Sequence, residues 1–155
     1  MKKVAVARVG LDSVTRLLET KGWSVTRIDD RRSTRLNCVK KNRQPVTIQV
    51  RTARMKGRYP FIVAKSTYKD LTDSLKHQVA IAHVFVPLRL HDLSIEGYYP
   101  VPAADVRRLA TEKFDDYWVR GRGSRGRNPN GVHAVCIWLD HLPPYRDRWD
   151  LIGID

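Results

Sequence analysis

The stretch VTIQVRTAR, Val46 to Arg54, sets the reading of the whole chain. Val46, Ile48 and Val50 alternate with Thr47, Gln49 and Arg51. Successive side chains of a strand point to opposite faces. This period of two therefore predicts a half-buried strand with Gln49 and Arg51 together on its second face. Two readings of that face are open: a solvent-exposed surface, or a polar pair set beside a phosphate or a metal.

Upstream, the polar turn KKNRQP (Lys40 to Pro45) separates this strand from another over Leu36 to Val39. WSVTRI, Trp23 to Ile28, predicts a further strand. Before it, Leu11, Val14, Leu17 and Leu18 recur at helical spacing, with Asp12 or Ser13 placed to cap the start and Gly22 to end the helix. Downstream, Thr52 to Arg58 reads as a basic loop and Tyr59 to Ala64 as a strand. Lys69 to Lys76 fits either a short helix or an irregular crossover. VAIAHVFVPL, Val79 to Leu88, is nearly all apolar and predicts a central strand covered on both faces. Tyr98 to Val101 is a shorter strand, and Pro102 opens a helix to about Lys113 with Val106, Leu109 and Ala110 inward. The Gly/Arg run from Arg120 to Arg127 predicts a flexible loop over 120–130. Val132 to Leu139 is a last strand, and Tyr145 and Trp149 are expected on one face of a closing helical turn. The expected class is α/β, a mixed central sheet flanked by helices, in a single domain over 1–155.

Composition bounds the partners. Apolar residues make up 42% of the 155, enough for one core. No apolar run of membrane-spanning length occurs, and MKKVAVARVG reads as mature protein rather than a leader. Cys38 and Cys136 have no CxxC partner and are expected as buried free thiols in the reducing cytoplasm. Lys and Arg number 29 against 16 Asp and Glu, a formal charge of +13. Such a cation gathers polyanions, because each neutralised phosphate releases condensed counterions. Nucleic acid is the expected partner, with DNA favoured over RNA. An acidic protein surface is the alternative, as for an inhibitor or assembly factor, and a membrane is disfavoured. A homodimer is left open.

The order of elements, with Gly22-Trp23 closing the first helix, Gln49-Val50-Arg51 on the hairpin, HVFVPL after it and the step Tyr99-Pro100-Val101-Pro102, resembles the PD-(D/E)XK, or restriction-endonuclease-like, nuclease superfamily. That resemblance implies a restriction-endonuclease-like core and a nucleic-acid-binding or endonuclease function. It also implies a phosphodiester-hydrolysing site that uses Mg or Mn if active. In that family an Asp precedes a (Glu/Gln)-x-Lys triplet. Here Arg35, Leu36 and Asn37 stand where the Asp is expected, and no acid lies between Arg31 and Arg58. Arg51 replaces the Lys; it can grip phosphate but cannot act as a base. The resemblance thus implies a weakened or inactive site, with an active metal-dependent endonuclease as the alternative.

For an active site the catalytic candidates are Gln49, Arg51 and Asp30, with Asp29, Asp30 and Gln49 as metal ligands. The blander reading, which is favoured, makes Asp29 and Asp30 turn or cap residues among Arg27, Arg31 and Arg32, and Asp12 an N-cap rather than the helix-one acid that the resemblance places near the metal. Two basic clusters are expected to contact nucleic acid: Arg51, Arg54, Lys56 and Arg58, then Arg120, Arg122, Arg125 and Arg127. Trp118, beside the second, is placed to stack on a base. His83, within the apolar strand, reads as a satisfied core histidine. His133 and His141 flank Cys136 at a spacing that matches no standard zinc pattern.

Overall fold

The computed structural model describes residues 3–29, 34–56, 61–119 and 131–155. Helix α1 (Lys3–Thr20) starts well before the expected cap, so Asp12 and Ser13 lie inside it. The buried row runs Val6, Gly10, Val14, Leu18, one residue every four. Gly10 hides this row in the sequence because it brings no side chain to it. The helix ends as expected. Gly22 takes φ +89, its N–H donates to Glu19 O at 3.0 Å, and the Trp23 N–H donates to Leu18 O at 3.1 Å. Both bonds close a Schellman turn, and Trp23 and Leu18 pack in the same core.

Strands β1 (Ser24–Asp29), β2 (Thr34–Val39) and β3 (Val46–Met55) form an antiparallel meander. β3 runs four residues past Arg51, because it pairs in parallel with β5 (Ala82–Arg89) as far as Met55↔Arg89. Thr52 to Met55 are therefore strand, not loop. Between β3 and β5 the chain makes β4 (Phe61–Ser66) and helix α2 (Leu71–Gln78). A parallel pair requires such a crossover. Val79 caps α2 through its N–H to Leu75 O at 2.8 Å, which delays the start of β5 to Ala82. β6 (Tyr99–Val101) pairs antiparallel with β5 and leads into α3 (Ala103–Val119). The order is β1-β2-β3-β5-β6, a mixed five-stranded sheet, with β4 and β7 (His133–Ile137) paired separately. The class is α/β, as expected.

Side-chain alternation splits the interior into two cores. On the first face of the sheet, Leu36, Ile48, Val84, Val86 and Leu88 meet α1 and the tail residues Trp149, Ile152 and Ile154. On the second, Phe85, Tyr99 and Val101 meet α2, α3 and the β4–β7 pair. Gly10 crosses β3 so closely that a Cβ there would lie 1.8 Å from Thr52 Oγ1. Tyr145 and Trp149 do not share a face: Tyr145 belongs to the second core and Trp149 to the first. They sit on separate 3₁₀ turns, with Asp147 at φ 54 reversing the chain between them and donating its N–H to Tyr98 O at 2.9 Å. The tail thus passes round the β6 side of the sheet. Both cysteines are free thiols. No described helix is long and apolar enough to cross a membrane.

Candidate functional site

Gln49 and Arg51 do share one face of β3, the second. That face is not solvent there, because β4 covers it. Gln49 is 7% exposed, and the half-buried Arg51 donates Nη2 to Val63 O at 3.2 Å. The register aligns a row across four strands: Arg35 in β2, Gln49 in β3, His83 in β5 and Val101 in β6. Exposure falls along it, from exposed Arg35 through Gln49 to His83 at 0%. Beyond Arg35 the same face lies open over β1 and β2, where Thr26 is exposed and Ile28 is 45% exposed.

His83 is buried, as expected, but no described protein group satisfies its ring. Among the described residues, neither ring nitrogen has a hydrogen-bond partner, and neither does Arg51 Nε. The Phe85 ring lies 5.8 Å from the imidazole. Burial, and then the Arg51 charge, pushes the His83 pKa down to about 3, so its ring is neutral near pH 7. A neutral imidazole offers one N–H and one acceptor. Burial also lowers the Arg51 pKa from its usual range, yet no carboxylate pairs with it among the described residues. The sequence carried one signal for His83: it is the only ionisable residue in VAIAHVFVPL. Its place beside Gln49 depends on the β3–β5 pairing and was not legible.

The other candidates are dispersed. Asp29 pairs with Thr34, on the face that carries Leu36, so it points away from Gln49. Its carboxylate accepts from Thr34 Oγ1 at 2.9 Å and Arg27 Nε at 3.1 Å, and these bonds hold its pKa below the usual range. Arg54 lies on the first face with Nη2 donating to Leu90 O at 3.0 Å. Arg51 and Arg54 therefore face opposite sides of the sheet, since an offset of three positions along a strand is odd. Lys56 is exposed just past β3. Asp30, Arg58, Arg120, Arg122, Arg125, Arg127 and the Trp118 side chain lie outside the described residues.

A hard divalent ion needs anionic oxygen ligands. The described groups around Gln49 are Arg35, Arg51 and a neutral His83, a donor set that does not fit Mg or Mn. No three His, Cys, Asp or Glu side chains converge as a metal site among the described residues. No family model, curated protein or solved structure matches the chain.

Proposed function

We propose that the protein binds nucleic acid, DNA in the first instance, through phosphate contacts and does not hydrolyse what it holds. The observation that carries this reading is Arg51: a half-buried cation beside Gln49 with no described carboxylate near it, in a chain of net charge +13. A buried cation without a counter-charge is complemented by an anion, and a polyanion also meets the remaining positive charge. The same lack of described acids around Gln49 that invites phosphate leaves a hydrolytic metal without anionic ligands there. The likeness to the PD-(D/E)XK layout enters this reading as a nuclease-like core that grips without cutting.

The test is a mobility-shift titration of labelled single- and double-stranded DNA, run in chelator and in Mn²⁺. Binding is expected in both, with no cleavage. Log affinity should fall linearly with log salt at a slope of about −0.9 per duplex phosphate neutralised. For three such contacts that is a loss of tens-fold between 50 and 200 mM salt. Cleavage that requires both Mn²⁺ and Gln49 would replace the proposal with an active nuclease. No binding at low salt would remove nucleic acid and leave an acidic protein surface as the partner.

A further inference from the structure

We propose that His83 is a ligand-contacting residue, whose N–H and Arg51 Nε donate to the oxygens of a single phosphate group seated beside Gln49. Naming phosphate as the oxyanion rests on the nucleic-acid reading; the site itself rests on the burial of His83 and on the unmatched nitrogens of His83 and Arg51.

Three buried polar atoms on two neighbouring side chains lack partners among the described residues: Arg51 Nε, His83 Nδ1 and His83 Nε2. Folding strips water from such groups, and a protein keeps them unmatched only where something else meets them. Their chemistry limits what that is. Arg51 only donates, and a neutral imidazole donates once. An occupant that meets the two donors must accept from both, which a phosphate oxygen does with two lone pairs; the second imidazole nitrogen is an acceptor and is not met by the phosphate. A cation is the wrong occupant, because the Arg51 charge repels it. A neutral His83 suits an anion already matched by Arg51, since it adds a hydrogen bond without a second buried charge.

The row Arg35–Gln49–His83 supplies the approach. Arg35 is exposed at the border of the open sheet face, and Gln49 stands between it and His83. A phosphate arriving along the open face meets Arg35 first. It then displaces the Gln49 amide, whose NH₂ becomes a third donor. The competing occupant of these groups is an internal water, which would satisfy them in the free protein too.

The experiment is thermal unfolding of the full chain in sodium phosphate and in sodium chloride at matched ionic strength and pH 7. It is run for the natural sequence, His83→Leu and Arg51→Met, with oligonucleotide affinity measured in parallel. Phosphate is expected to raise Tm beyond chloride in the natural sequence. In both variants that increment should vanish, and oligonucleotide binding should weaken by tenfold or more. In chloride, His83→Leu should unfold at the same or a higher temperature, because it removes two unmatched nitrogens at similar volume. A lower Tm for His83→Leu in chloride, with the phosphate increment kept, would assign the nitrogens to an internal water and overturn the proposal. An unchanged increment in both variants would overturn it too, whether or not DNA binds. A phosphate increment lost in the variants, with no oligonucleotide bound by any protein, would keep the site and discard the nucleic-acid reading instead.

Discussion

Acidification from pH 6.5 toward 3 is expected to destabilise the protein by about 4 kcal/mol through His83 alone. The imidazole titrates at 6.5 in an ordinary setting and at about 3 in the fold, pushed down by burial and then by Arg51. Between those values the unfolded chain binds a proton that the folded chain refuses. Stability therefore rises with pH across the window, is complete above 6.5, and is lost as pH falls toward 3. At 1.36 kcal/mol per decade the loss is large against the roughly 5–15 kcal/mol that holds a domain together. Asp29, Asp92, Asp150 and Asp155, held down by hydrogen bonds to Thr34, Ser94, Arg148 and Lys40, act in the same direction but below their ordinary range near 3.8. Urea unfolding at pH 7 and pH 5 separates the two. His83→Leu should flatten the change between these pH values, where the aspartates contribute little. Identical pH profiles for variant and natural sequence would mean that His83 does not titrate as its burial requires.

Gly10→Val is the second large effect, with an expected loss of about 3 kcal/mol or more from overpacking. A Cβ at position 10 would stand 1.8 Å from Thr52 Oγ1, 2.9 Å from Thr52 Cβ and 3.0 Å from its Cγ2. Rotating Thr52 relieves the first contact but not the second, so α1 must lift from β3. Lifting it would open Ile48 and Val14, both 0% exposed. Gly10→Ala should lose less, since alanine returns about 1 kcal/mol of helix propensity. A cycle of Gly10→Ala with Thr52→Ala should show favourable coupling of about 1 kcal/mol, because the second change removes the hydroxyl and methyl that clash. Independent effects in denaturant unfolding would place the strain elsewhere.

How much of this was visible in the sequence follows from the range of each contact. The meander, its turn at Lys40–Pro45, the Gly22 stop and the two-sided burial of the fifth strand are local patterns, and they were legible. The pairing of Gln49 with Arg51 on one face was legible for the same reason. What covers that face was not. β4 arrives through its own excursion, and its partner β7 lies far along the chain. A polar pair beneath such a strand looks like a solvated one until the layers are known. Asp29 failed as a neighbour of Gln49 through register: one residue of strand decides the face, and no local pattern in VTRID fixes it. Asp12 lost its cap because the helix starts at Lys3, and Gly10, which adds no apolar side chain to the pattern, is its contact point with β3.

The far tail has a consequence for how the chain is made. Trp149, Ile152 and Ile154 complete the core under α1, and the Trp23 indole N–H donates to Asp155 O across 132 residues. A ribosome releases α1 and the first hairpin long before these residues exist. During that interval Leu36, Ile48 and Leu18 lack part of their apolar cover and offer a sticky surface to other nascent chains. Translation speed and chaperone supply, rather than the equilibrium stability of the finished fold, should then govern how much soluble protein a cell recovers.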